Sequence, residues 1–168
     1  TSENRIYLLS DPAETKNTAV FDFKGQGKGL VLWGDYWYIK GISVTNTADG
    51  QKGIQVAGNN NVLEFVKAYK NGNTGIQVSG QSTDPASKWP KNNLILNCTS
   101  FDNSDAAMED ADGFAAKLTT GEGNVFYGCI AYNNADDGWD CFAKTATGPI
   151  GAVKVINSIA YKNGYLSN

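Results

Sequence analysis

The stretch Ala131-Tyr132-Asn133-Asn134-Ala135-Asp136-Asp137-Gly138-Trp139-Asp140 is one instance of a pattern that recurs along the chain. In each instance an asparagine ends a short apolar segment, and in four of the five a new strand then begins at a glycine. The asparagines are Asn46, Asn71, Asn103, Asn134 and Asn163, at intervals of 25 to 32 residues, and the glycines are Gly53, Gly75, Gly113 and Gly138. A period of this length, built from short strands, is typical of a parallel β-helix.

In such a solenoid, equivalent residues of neighbouring coils lie about 4.8 Å apart. The repeat therefore predicts that Cys98 stacks on Cys129, with Val66 below and Ser158 above, as buried thiols of the core. It also predicts an internal ladder of amides that satisfies the backbone groups of the turns. The ladder consists of Asn71, Asn103, Asn134 and Asn163.

Composition agrees with this all-β interpretation. The chain has 168 residues, 19 of them glycine, and 41% are hydrophobic. We expect one domain over residues 1–168, in which 1–35 form a lead-in and first coil and 36–168 form repeated coils of roughly 22–32 residues.

Charge and residue usage exclude several function classes. The chain contains no histidine, which removes Ser-His-Asp catalysis, Cys-His catalysis and His-ligated zinc. A net charge of −3 and the lack of a basic patch argue against nucleic-acid binding, and no apolar run is long enough to span a membrane. The one arginine is Arg5, so a cationic catalytic group deeper in the chain must be a lysine. We expect a monomer.

Acidic residues concentrate in one part of the chain. Nine of the seventeen acidic residues lie between Asp102 and Asp140, where Lys117 is the one basic residue. Carboxylates held this close repel one another unless a cation lies among them, and Ca²⁺ binds carboxylates in flexible geometry.

The register brings four of these carboxylates to one turn. Asp112 precedes Gly113 and Asp137 precedes Gly138, so they stack on successive coils, with Asp136 beside them. If Trp139 and Cys141 point inward, alternation turns the residue between them outward. We therefore predict a Ca²⁺ site formed by Asp112, Asp136, Asp137 and Asp140. Any one of these aspartates alone is better explained as a turn residue, but the four together favour a site.

A longer turn, residues 81–91, contains Trp89 between two prolines. Lengthened turns on one side of a solenoid often line its binding face, so Trp89 is a candidate for stacking on a sugar ring. A packing anchor within the loop is an equally good interpretation.

Several motifs resemble polysaccharide lyase family 9, the pectate lyase L-type enzymes. The most specific are Glu109-Asp-Ala-Asp-Gly-Phe-Ala-Ala-Lys117 and the stretch from Ala131 to Asp140, and the resemblance extends from about Asp35 to the end, including Trp33-Gly-Asp-Tyr-Trp37, Trp89-Pro-Lys-Asn-Asn-Leu94 and Tyr161-Lys-Asn-Gly-Tyr-Leu166. It implies a right-handed parallel β-helix, secreted, that cleaves polygalacturonate or pectin by β-elimination with Ca²⁺. The calcium aspartates of the family fall on the same four positions that the register selects.

The resemblance also implies a lysine as catalytic base, in a segment of the Gly-Phe-Lys-Leu-Gly-Gly type that lies one coil beyond Tyr161-Lys-Asn-Gly-Tyr-Leu166 and so after residue 168. We therefore expect a fragment of a larger enzyme, with no catalytic residue assigned within the chain. Lys117 and Lys144 do not match that base but are candidates for contact with substrate carboxylates.

Three other functions remain open at this point. One is a non-catalytic, calcium-dependent β-helix that binds acidic polysaccharide, and another is a purely structural or adhesin-type solenoid. The third is hydrolysis by a pair of carboxylates, which ranks lower because four acids around one point favour a metal.

Overall fold

The computed structural model describes residues 1, 3–11, 13 and 19–164. Residues 2, 12 and 14–18 of the predicted lead-in and residues 165–168 at the end of the last motif lie outside this range. The described part is a stack of coils with three strands per complete coil, and the strands form three parallel sheets. The prediction of an all-β parallel β-helix is confirmed.

Each sheet takes one strand from every complete coil of the described part. The first sheet contains β1 (Ile6–Leu9), β4 (Trp37–Lys40), β7 (Val62–Glu64), β10 (Leu94–Leu96), β13 (Asn124–Tyr127) and β16 (Val153–Ile156). The second contains β2 (Ala19–Asp22), β5 (Ile42–Thr45), β8 (Lys67–Tyr69), β11 (Thr99–Phe101), β14 (Ile130–Tyr132) and β17 (Ile159–Tyr161). The third contains β3 (Leu30–Leu32), β6 (Ile54–Val56), β9 (Ile76–Val78), β12 (Phe114–Ala116) and β15 (Trp139–Asp140). Because β1, β2 and β3 pair in register with the next coil, the repeat already includes the first coil.

A single residue of left-handed backbone turns the chain between the first and second sheets. These corner residues are Gly41, Phe65, Asn97, Gly128 and Asn157, with φ between 48° and 72°. Glycine adopts this conformation freely and asparagine more readily than other side chains. The tight corners account for part of the glycine and asparagine content of the chain.

The core follows the predicted register. Inward side chains of successive coils stack into a continuous apolar column that includes Ile39, Leu63, Ile95 and Phe126, each 4% exposed or less. Cys98 and Cys129 are buried free thiols, and the backbone bonds Thr99 N–H to Val66 O and Ile130 N–H to Cys98 O place them as predicted. The backbone N–H of Cys129 donates to Ser158 Oγ (3.1 Å), which completes the predicted column.

The asparagine ladder is confirmed. The side-chain amide of Asn71 donates to Asn103 Oδ1 (3.0 Å), that of Asn103 to Asn134 Oδ1 (2.8 Å), and that of Asn134 to Asn163 Oδ1 (2.8 Å). The same oxygens accept backbone N–H groups from the coil below. The ladder leaves no room at the glycine that follows it: a Cβ on Gly113 would lie 2.7 Å from Ala131 Cβ and 2.8 Å from Asn134 Nδ2.

A second ladder lies before the first sheet, at Asn61, Asn93 and Asn124, and the sequence analysis missed it. The backbone N–H of Asn61 donates to Asn93 Oδ1 (2.9 Å), and Asn93 Nδ2 donates to Asn124 Oδ1 (2.9 Å). The signal was present, because Asn61 and Asn93 directly precede strands of the first sheet and Asn124 is the first residue of the next one. Among the described residues, no helix is long and apolar enough to cross a membrane.

Candidate metal and substrate site

The candidate site lies at the turns that lead from the second sheet into the third. In this turn Thr74, Asp112 and Asp137 occupy equivalent places, each directly before the glycine that opens the third strand. The N–H of Gly75 donates to Asp112 O (2.9 Å) and that of Gly113 donates to Asp137 O (2.8 Å). The predicted stacking of Asp112 on Asp137 is therefore confirmed.

Three of the four predicted ligands form a compact cluster. One carboxylate oxygen from each of Asp112, Asp136 and Asp137 lies within 4.8 Å of the other two. Ca²⁺ binds oxygens at about 2.3–2.6 Å, so two of its ligands lie no more than about 5 Å apart. The three oxygens thus fit around one cation of this size, and a donor set of carboxylates alone suits a hard cation.

Asp112 is the buried anchor of the cluster. Its side chain has no exposed surface, and its Oδ2 accepts hydrogen bonds from Thr74 Oγ1 (2.8 Å) and from Lys117 Nζ (2.9 Å). Burial raises the pKa of Asp112, against the opposing effect of the hydrogen bond from Lys117. The fixed orientation of this carboxylate presents its other oxygen, Oδ1, to the turn of Asp137, whose N–H lies 3.4 Å away.

Asp136 and Asp137 complete the cluster from the next coil. Asp136 is half-buried and Asp137 is exposed. Burial, and then the negative charges of Asp112 and Asp137, raise the pKa of Asp136 to about 6. Carboxylates that destabilise one another's charge in this way are stabilised by a cation placed among them.

Lys117 supplies the ammonium group that lies among these carboxylates. Its side chain is 10% exposed and pairs with Asp112 Oδ2 (2.9 Å) and Asp140 Oδ2 (2.8 Å), with Asp110 Oδ1 at 3.8 Å. Burial alone would lower the pKa of Lys117, but the hydrogen bonds to Asp140 and Asp112 outweigh it and raise the pKa well above its usual value. Ala115, which lies between Asp112 and Lys117 in the sequence and pairs in register with Asp140, is fully buried.

Asp140 stands apart from the three clustered carboxylates. Its carboxylate faces Lys117 and is 23% exposed, so in this structure it joins the cluster through the ammonium group. Trp139 packs on Phe114 (centroids 4.8 Å apart), which confirms its inward direction. Cys141 is exposed because it follows β15, the outermost strand of the third sheet in the described part, and the inward direction expected for it stays a prediction.

A family model described as "Pel9A-like, right handed beta helix region" matches residues 1–168. The chain belongs to this family. The predicted resemblance to pectate lyases of this type and the right-handed sense of the β-helix are thereby confirmed. A crystal structure of pectate lyase Pel9A superposes with a TM-score of 0.79 at 31% identity, over 98% of this chain and 39% of that one.

Named relatives of this Pel9A-like chain are pectate lyases. It is 46% identical over 169 residues to pectate lyase L of Thermoclostridium stercorarium, which covers 100% of this chain and 13% of the relative. It is 50% identical over 156 residues to pectate lyase L of Paenibacillus polymyxa, covering 89% of this chain and 34% of the relative. A pectate disaccharide-lyase of Dickeya chrysanthemi is 43% identical over 80% of this chain and 17% of its own length. The chain therefore spans from about an eighth to a third of these relatives.

Two of the residues predicted to contact substrate, Lys144 and Trp89, differ in how accessible they are in this Pel9A-like chain. Lys144 is exposed over the ring of Phe142 and lines a depression of about 280 Å³ together with Lys117 and Asp140. Trp89 is only 7% exposed, and its Nε1 donates to the backbone oxygen of Asp84 (3.0 Å) within the same loop. The sugar contact of Trp89 stays a prediction, and this geometry favours the packing anchor.

The sequence analysis did not single out Thr74, Asp110 or the path of the loop that carries Asp110. Thr74 was within reach, because it occupies the place of Asp112 one coil earlier. The loop after Asn103 is longer than its counterparts and returns along the solenoid, where the N–H of Ala106 donates to Asp49 Oδ1 (2.8 Å). A contact across 57 residues of sequence is set by tertiary packing and leaves no periodic signal.

Proposed function

We propose that this chain binds Ca²⁺ at Asp112, Asp136, Asp137 and Asp140, and that the whole protein is a pectate lyase that cleaves polygalacturonate or pectin by β-elimination. The observation that carries the proposal is the carboxylate cluster of Asp112, Asp136 and Asp137, whose oxygens lie within 4.8 Å of one another. Family membership supports the reaction, since relatives that cover most of this chain are named pectate lyases.

The substrate explains why such a site is needed. β-Elimination removes the C5 proton of a uronate, which is acidic only when the adjacent carboxylate is neutralised. The bound cation would supply this neutralisation and would also link an acidic protein to an acidic polymer. The net charge of −3 makes such a link necessary, because the chain as a whole repels a polyanion.

The residues of the chain have separate tasks in this proposal. Thr74 and Lys117 orient the buried carboxylate of Asp112, so that one ligand is held in place before the cation binds. Asp136 and Asp137 supply ligands from the more accessible side of the turn. Lys117 and Lys144 border the depression beside Asp140 and offer ammonium groups to uronate carboxylates. We propose that the whole protein is a monomer and acts outside the cell, where a polymer of this size is available.

A calcium titration tests the metal site. In the parent we expect saturable binding in a calorimeter, and in Asp137→Ala we expect affinity at least about tenfold lower, because one of a small number of charged ligands is lost. Asp137 is exposed, so its replacement should leave the fold intact. Glu122→Gln is a matched control that removes an exposed carboxylate elsewhere and should titrate like the parent.

An assay on polygalacturonate tests the reaction by the ultraviolet absorbance of unsaturated uronate products. Product formed by the 168-residue chain would locate the catalytic base among its own residues. Calcium-dependent binding without product would agree with a lyase whose base lies outside these residues, and the same assay on the whole protein would then distinguish a lyase from the non-catalytic, polysaccharide-binding alternative. A parent that does not bind Ca²⁺ would contradict the proposal at its centre.

A further inference from the structure

Lys52 lies in the same column of the solenoid as the metal cluster, two coils towards the N-terminal end. It directly precedes Gly53, as Thr74 precedes Gly75 and Asp112 precedes Gly113. The N–H of Gly53 donates to Thr74 O (3.0 Å), which fixes this alignment. Because coils are spaced by about 4.8 Å, the backbone at Lys52 lies about 10 Å from that at Asp112.

The loop that carries Asp110 forms a wall beside this column. It leaves the coil of Asp112 and returns far enough to hydrogen-bond Asp49, three residues before Lys52. Asp110 at the end of the loop lies 3.8 Å from Lys117 Nζ, and its charge also acts on Lys52. Lys52 itself is half-buried.

Lys52 and Lys117 differ in how their charges are balanced. Lys117 pairs with two carboxylates at less than 3 Å, whereas no ion pair within 4.0 Å involves Lys52 among the described residues. Burial, and then the charge of Lys117, lower the pKa of Lys52, and the attraction of Asp110 opposes them only in part. A half-buried ammonium group without a paired anion is costly, and an incoming carboxylate removes that cost.

We propose that Lys52 binds the carboxylate of a uronate residue that lies on the N-terminal side of the metal cluster, a contact that rests on the proposed function. A polygalacturonate chain carries one carboxylate per sugar, and one sugar is about as long as one coil is thick. A chain that follows the solenoid axis from the cluster would therefore bring a later carboxylate over Lys52. Lys144 would take the equivalent role on the opposite side, beside Asp140.

The test measures the affinity of the full protein that carries these coils for a short oligogalacturonate in the presence of calcium. The parent is compared with Lys52→Gln. We expect about tenfold weaker binding in Lys52→Gln, because one charge-assisted hydrogen bond is lost. Titration of calcium alone should be unchanged, and Lys52→Arg should retain most of the affinity. Lys67→Gln, which removes an exposed lysine on the second sheet, should bind like the parent.

A fully methyl-esterified oligomer separates recognition of the carboxylate from a structural effect. Parent and Lys52→Gln should bind it equally, since it offers no carboxylate to Lys52. If Lys52→Gln loses affinity equally for both oligomers, or if its calcium titration is altered, Lys52 has a structural role and the inference is overturned. If the parent binds oligogalacturonate and Lys52→Gln binds it equally well, the inference fails while the proposed function stands. If the parent itself does not bind in calcium, the proposed function fails.

Discussion

At the scale of single residues, the site depends on a buried lysine placed among acids. Lys117 offsets the charges of Asp112 and Asp140, and its own charge is held within a network that exposes only 10% of its side chain. A divalent cation beside this network would share the same task of balancing negative charge. Lys117 and the proposed cation would therefore balance the charge of Asp112 from two sides.

Replacement of Lys117 by methionine should lower the free energy of unfolding by about 3 kcal/mol in the absence of calcium, because it leaves a buried carboxylate without its partner. Calcium should then stabilise the variant more than the parent, since its binding favours the folded state and compensates the missing charge. Thermal unfolding with and without calcium measures both effects. Lys67→Met is the control for loss of an exposed lysine, and a calcium-induced rise in Tm no larger than that of the parent would contradict the expectation.

At the scale of elements, amide ladders link the coils in addition to strand pairing. Asn103 is fully buried, and its amide bonds Ser100 Oγ (3.0 Å) and Asn134 Oδ1 (2.8 Å) while its oxygen accepts from Asn71. This ladder stands directly before the turn that carries the acidic cluster. The positions of Asp112 and Asp137 therefore depend on it.

Asn103→Ala should lower the free energy of unfolding by about 3 kcal/mol, because it leaves buried donors and acceptors without partners. Urea unfolding followed by circular dichroism measures the change. Asn4→Ala removes an exposed asparagine with one local hydrogen bond, and we expect a change of less than about 0.5 kcal/mol. A loss of similar size in both variants would mean that the ladder is not the source of the stability.

Sequence periodicity predicted the repeated strands and turns better than it predicted the side-chain and loop contacts around them. Asp112 and Asp137 were placed correctly because each precedes a repeated glycine, and a repeat transmits its register from coil to coil. The pairing of Asp140 with Lys117 and the return of the loop to Asp49 were missed, since both depend on how side chains and irregular segments pack. Lys52 was overlooked for a different reason: its place in the column is periodic, but its lack of a paired anion is visible only in three dimensions.

At the scale of the whole molecule, the proposed function requires a chain of net charge −3 to bind a polymer of the same sign. Long-range repulsion opposes this encounter, so attraction must come from local cations at the cluster and at the lysines along the column. The balance between repulsion and local attraction should therefore depend on the metal. This dependence can be measured without any catalytic turnover.

Binding to polygalacturonate should be lost, by at least about tenfold, when calcium is removed with a chelator, because the carboxylate cluster then repels the polymer. Binding to fully methyl-esterified pectin should change much less, since that polymer carries no charge for the metal to link. Affinity electrophoresis in gels that contain each polymer, run with and without calcium, measures the two effects side by side. Asp137→Ala in calcium should behave like the parent without it. Undiminished retention on polygalacturonate in chelator would show that the lysines alone hold the polymer, and the metal would then have no part in binding.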